Sequence, residues 1–150
     1  MTVNTPPEAE VVPPVTIDGT KVTKTVAELQ AENSWEDTAA IGSFTIGQVD
    51  VTLTGDAGDT KYYANGSNLR IYINKNGGTG SVAFAAKDGY KIVAVKITFV
   101  WNKGTGTFPL ESEAIGMVNE TSKTYEIGNP GGSNEQMRIS AFEIYYDVAA

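Results

Sequence analysis

The sequence contains no cysteine and no histidine. That excludes disulfides, thiolate chemistry, Ser-His and Cys-His nucleophile systems and the usual zinc sites. Lack of cysteine leaves the compartment open. No apolar run approaches the length needed to cross a bilayer as a helix. There is no run of basic residues either. The 11 Lys and Arg are scattered among 18 Asp and Glu, for a net charge of −7. An acidic chain of pI near 4.5 repels nucleic-acid backbones and anionic membranes. The expectation is therefore no nucleic-acid partner and no membrane insertion. The N-terminus lacks a basic region followed by a hydrophobic segment, so no signal peptide is expected. Met1 runs at once into a Pro-rich stretch, which reads as a module cut from a longer chain.

What is present points to strands. At 150 residues, one domain is the default. The 16 glycines and the short apolar runs favour many strands joined by turns. Residues 1–14 hold four of the six prolines and read as an extended linker to other modules. Residues 15–150 read as a single domain.

Asp18-Gly19 is a hairpin signal. Thr25 and Glu28 fit a capping box for a short helix that ends near Asn33, with Val26 and Leu29 facing a sheet. Trp35 reads as a plug beneath it. Strands are expected at 41–46 and 49–54, where Val49, Val51 and Leu53 alternate inward. Lys61–Asn74, KYYANGSNLRIYIN, reads as a strand, an Asn65-Gly66 turn and a second strand. In it Leu69, Ile71 and Ile73 point inward, and Arg70, Tyr72 and Asn74 outward. Strands follow at 81–86 and 91–101. In the latter, Val93, Val95, Ile97 and Phe99 form one face and Ile92, Ala94 and Lys96 the other. Phe108-Pro109-Leu110 reads as an edge piece and 112–123 as irregular. A short strand is expected at 124–127, a flexible loop at 128–135 and a last strand at 137–148. Roughly nine strands and one short helix specify an all-β fold, an antiparallel, jelly-roll-like β-sandwich.

The segments VAELQAENSW, KYYANGSNLRIY, YKIVAVKITF and YEIGNPGGSNEQMRISAFEIYYD together resemble a β-sandwich module of large secreted and surface proteins of gut and rumen bacteria. The likeness spans most of residues 22–147 and rests on turn and core residues. It implies a secreted or surface-associated accessory module that is similar to carbohydrate-binding modules. It carries over no binding residue.

Sugar binding needs flat aromatic faces against pyranose rings and fixed hydrogen-bonding groups for hydroxyls. Tyr72, with Arg70 and Asn74 beside it, is one candidate platform. Tyr62 and Tyr63 have opposite parity; Tyr62 is assigned to the platform. Trp101 is the second candidate, with Asn102 next to it. Its parity matches the core row, so it reads equally as the plug at the end of the core, unless a bulge breaks the alternation. Asp56 and Asp59, with Asp50 as a third ligand, are the best cluster for a structural calcium ion. Turn formation by these aspartates is the competing and weightier reading. Glu111 and Glu113 sit on what reads as surface, so no catalytic carboxylate pair is expected and the domain reads as no enzyme. The function expected is binding of a plant β-glucan or related hemicellulose. The alternative is a structural or adhesive protein-binding module.

Overall fold

The alternating apolar rows of the sequence become the inner faces of two antiparallel sheets. The structure is a computed structural model that describes residues 17–102 and 111–149, and at 100–102 the backbone alone. The expected linker at 1–14, the loop after Asn102 and the Phe108-Pro109-Leu110 piece lie outside the described residues. The elements in order are β1 (Thr20–Thr25), α1 (Val26–Asn33), β2 (Ser43–Ile46), β3 (Val49–Gly55), β4 (Lys61–Tyr63) and β5 (Asn68–Ile73). Then come β6 (Gly78–Ala86), β7 (Tyr90–Asn102), β8 (Ile115–Glu120), β9 (Ser122–Asn129) and β10 (Glu135–Val148).

One sheet runs β4-β5-β10-β7-β8, with β1 also paired to β10; the other runs β2-β3-β6-β9. β10 is long enough to serve two strands on one side. Its residues 135–139 pair with β5 and 141–146 with β1, while β7 runs along its other side. The fold is an antiparallel β-sandwich.

The core lies between the sheets. Val49, Val51 and Leu53 meet Leu69, Ile71 and Ile73 there, with Val82, Phe84, Phe142 and Ile144. A chain of ring contacts crosses it. Tyr62 packs on Trp35, Trp35 on Phe44, Phe44 on Phe142, Phe142 on Phe84 and Phe84 on Tyr125, with centroids 5.5–6.4 Å apart. Such tilted and edge-on pairs add to what area burial alone supplies.

Helix α1 forms for the local reason its sequence indicates. Thr25 Oγ1 accepts from Glu28 N at 3.1 Å, and Glu28 Oε1 accepts from Thr25 N at 3.1 Å. Ser34, at φ 56°, ends it in the left-handed region. Val26 and Leu29 are buried, and the helix packs against β10, β5 and β1. The hairpin expected at Asp18-Gly19 falls partly outside the described residues; on the described side, β1 pairs with β10.

Three expectations need correction. Residues 112–123 are not irregular: they supply β8 and the start of β9. The alternation is weak there because β8 is a sheet-edge strand whose side chains are half-buried or exposed. The 128–135 loop, which reads as flexible from composition, is tied to the turn after β5. Gly77 N donates to Asn129 O at 2.8 Å, Asn76 N to Gly131 O at 2.8 Å and Lys75 N to Asn134 Oδ1 at 2.9 Å.

The third correction concerns the longest strand. Val93 does not share a face with Val95 and Ile97. The β7–β10 register shifts between Tyr145 and Tyr146, where Ala94 pairs with Tyr145 and Ile92 with Tyr146. Val93 is the extra residue of a β-bulge. Ile92 therefore joins the main core, while Val93 and Ala94 pack with Tyr145 and Ile17 in a small second cluster.

Candidate functional site

The outer face of the larger sheet carries the candidate platform, and two further bulges decide what stands on it. Near Ser140 the β10 register shifts, so Met137 and Ile139 point into the core before it, and Phe142 and Ile144 after it. Arg138 has the parity of Phe142 in sequence, yet lies on the opposite face. It pairs with Arg70 of β5, which pairs with Lys61 of β4. On the other side of β10, Arg138 pairs with Trp101 while Ile139 pairs with Phe99, so Val100 is an extra residue. Position 101 thus falls in the same transverse row as Lys61, Arg70 and Arg138. The bulge weighed for this strand end is present, and Asn102 falls opposite the buried Met137.

Arg70 and Tyr72 are half-buried on this face. The Arg70 guanidinium lies 3.7 Å from the centroid of the Tyr63 ring, and its Nε donates to Asn68 Oδ1 at 3.0 Å. Tyr72 donates its hydroxyl proton to the Tyr63 hydroxyl at 2.8 Å. Partial burial, then this bond, push the Tyr72 hydroxyl up to about 12. Arg138 Nε donates to Gln136 Oε1 at 3.3 Å.

Tyr62 is not part of the platform. It is 5% exposed and packs on Trp35 in the core. Of the two adjacent tyrosines, Tyr63 takes the outer place, because β4 pairs Tyr62 with the inward Leu69 and Tyr63 with Asn68.

Asn74 is exposed, but its groups are engaged in a corner of the sandwich. Its backbone N–H donates to Asp56 Oδ1 at 2.7 Å and its side-chain amide to the Asp56 carbonyl at 2.7 Å. Asp56 Oδ2 accepts from Thr79 N at 2.9 Å, and Ala57 N donates to Tyr72 O at 3.2 Å. These bonds hold the Asp56 carboxyl below the usual carboxylate range, the Asn74 and Thr79 amides being the main cause. Two glycines permit the corner. A Cβ at Gly55 would come within 2.3 Å of Tyr72 O, and one at Gly78 within 2.3 Å of Asn74 O. The end of β5 that carries Tyr72 is thereby clamped against β3 and β6. A shallow depression of about 300 Å³ lies beside Tyr72, lined by Ala57, Gly58, Asp59 and Lys61.

The residues do not fit a calcium site. Calcium takes about six to eight oxygens. Both Asp56 oxygens already serve backbone amides, and Asp50 lies back along β3, where it accepts from Thr45 Oγ1 at 2.7 Å and pairs with Lys87 at 3.4 Å. Among the described residues, no group of three or more potential ligand side chains could hold a metal ion. Glu111 and Glu113 are exposed, on the turn before β8.

The outer face therefore brings together Lys61, Tyr63, Arg70, Tyr72, Gln136 and Arg138, with position 101 in register. Lys61 and Tyr63 share the outward parity of the KYY segment and were open to sequence reasoning. Arg138 was not, because its face depends on a bulge. No family model, curated protein or solved structure matches the chain.

Proposed function

We propose that this domain is a non-catalytic carbohydrate-binding module. It binds a plant β-glucan or related hemicellulose on the outer face of the six-stranded sheet. It thereby directs a parent enzyme or surface protein, joined through the Pro-rich segment, to polysaccharide outside the cell. The observation that carries the reading is Tyr72. Its ring is half-buried on a clamped strand end, it borders an open depression, and Lys61, Asp59, Arg70 and Gln136 stand around it as hydrogen-bonding groups. An open sheet face suits a long polymer more than a chain end. The backbone of position 101 is in register with Arg138, and Trp101 is the second aromatic of the reading.

Electrophoresis on native gels containing soluble glucan, xyloglucan, mannan or xylan tests it. Retardation by at least one polymer is expected, with loss in Tyr72→Ala and Trp101→Ala variants that keep the parent's circular dichroism. Free migration across the panel would sink the reading. Release of reducing sugar from any of the polymers would refute the non-catalytic part.

One observation favours the alternative, an adhesive module that binds protein. Edge strand β8 exposes Ile115 (48%) and Met117 (54%), an apolar pair on a sheet edge. A module of that kind would migrate freely in every polysaccharide gel.

A further inference from the structure

The larger sheet ends at β8. That strand pairs with β7 on one side, and among the described residues nothing pairs with its other side. An edge strand offers its unpaired N–H and C=O groups to any strand that can lie beside it. Charges and prolines blunt such edges, and residues 114–118 contain neither. The backbone sets the limits of this run. Glu113 at φ 65° and Asn119 at φ 52° both sit in the left-handed region, which extended pairing does not use. Gly116 is the centre of the run between them. Ala114, Gly116 and Val118 are half-buried, and Val118 packs on the main core. Ile115 and Met117 are exposed on the outer face, opposite Lys96 and Ala94 of β7.

We propose that this edge pairs with the same edge of a second copy of the chain, antiparallel about a two-fold axis through Gly116. An axis normal to the sheet keeps both outer faces on one side, so each residue must lie opposite one of its own parity. Centred on Gly116, the pairing uses the whole run. Ile115 then lies opposite Met117 of the second copy, and Met117 opposite its Ile115, so four exposed apolar side chains cover one another. Glu113 falls opposite Asn119 and Glu120 opposite Ser112, so no like charges meet. The neighbouring registers lose this fit. Centred on Ile115, Met117 would face Glu113; centred on Met117, Ile115 would face Asn119. The net charge of −7 works against bringing two copies together, so salt strengthens this association where it would weaken an ionic one. The paired surface is small, and the dimer is accordingly a weak one. It joins the two six-stranded sheets into one, with both copies of Tyr72 on the same side. The inference goes beyond the carbohydrate-binding reading and does not depend on it.

Sedimentation velocity and light scattering on the full chain, from about 1 μM to about 1 mM, test it. The mass is expected to rise from 15.9 kDa towards twice that value, and to rise at lower concentration in high salt. Ile115→Lys and Met117→Lys should each weaken association about tenfold or more, with circular dichroism unchanged because both side chains are exposed. The chain has no cysteine of its own, so introduced ones report the register. Ile115→Cys mixed with Met117→Cys should give a disulfide-linked dimer under mild oxidation, since directly opposite residues lie within disulfide reach. Neither variant alone should cross-link as readily, because its own copies meet only diagonally. A mass that stays at 15.9 kDa throughout overturns the inference and leaves the edge to a different protein. A dimer that neither lysine variant weakens overturns β8 as its surface. Cross-linking of either cysteine variant alone as readily as the mixture overturns the register. Should a lysine variant fail to fold, the mass and salt series on the unaltered chain and the cysteine mixture still decide.

Discussion

Asn74 and Asp56 hold each other twice, backbone amide to carboxylate and side-chain amide to carbonyl, each at 2.7 Å. With Thr79 N on the second carboxylate oxygen, one side chain joins β3, β5 and β6 at the corner under Tyr72. Asp56→Ala leaves two backbone amides without their acceptor and should cost about 1–2 kcal/mol, seen as a lower urea midpoint with unchanged m-value. Asp59→Ala, which removes none of these bonds, should stay within about 0.5 kcal/mol of the parent. Because the folded state holds the Asp56 carboxyl down, its contribution is complete above the ordinary range near pH 4 and is lost as pH falls through the lower folded value.

Calcium should do nothing to this domain. Melting temperatures with added calcium and with a chelator are expected to coincide, since linkage stabilises only a state that binds. A rise with calcium that Asp56→Ala or Asp59→Ala abolishes would restore the metal reading of that loop.

Glu143 lies nearly buried on the outer face between β1 and β7. Burial pushes its carboxyl up, but the Tyr145 hydroxyl at 2.5 Å, a bond and charge from Lys21 and the charge of Lys96 together bring it below its ordinary value. Glu143→Gln should cost about 2 kcal/mol at neutral pH. The stabilisation from Glu143 is present above about pH 4.3 and disappears as pH falls through the lowered folded value. The gap between the two proteins should therefore close in acid, which denaturant titrations at several pH values measure.

The bulge at Val93 separates two neighbouring residues by environment. Ile92→Ala should cost about 2–5 kcal/mol, as a truncation in the main core, and Val93→Ala about 1 kcal/mol, since its cluster is small. Reversal of that order in denaturant melts would place the bulge elsewhere.

Three tyrosines should ionise late. Tyr72 and Tyr145 are each raised to about 12, Tyr145 chiefly by its bond to Glu143 and Tyr72 chiefly by burial. Burial raises Tyr125 as well, so ultraviolet titration should show three late-ionising groups, one lost in Tyr72→Phe and another in Tyr145→Phe. A raised phenol stabilises the fold below pH 10 and ceases to do so as pH climbs through the folded value. Stability should therefore decline between about pH 10 and 12 in the parent, less steeply in either variant.

Much of the architecture was legible because it depends on neighbours in sequence. The Thr25–Glu28 capping box spans one helical turn. The row Leu69, Ile71, Ile73 and its outward partners Arg70 and Tyr72 follow from the two-residue pleat. β8 was missed because an edge strand buries too little to show a period. Tyr62 was misassigned because parity divides a pair into inner and outer without saying which is which. That depends on the partner strand, here on Leu69 opposite it.

The residues themselves determined the sandwich. Period-two apolar rows broken by glycine turns can bury their inner faces only by stacking two sheets, and the lack of cysteine and histidine limits the chemistry a site could hold. The tertiary structure alone decided which residues share the candidate platform. Extra residues at Val93, Val100 and near Ser140 invert the faces of β7 and β10 without a mark in the local pattern, because a bulge is stabilised by the strand across from it. Through them Arg138, far from Arg70 in sequence, comes to lie beside it, and a cationic row forms on an acidic protein.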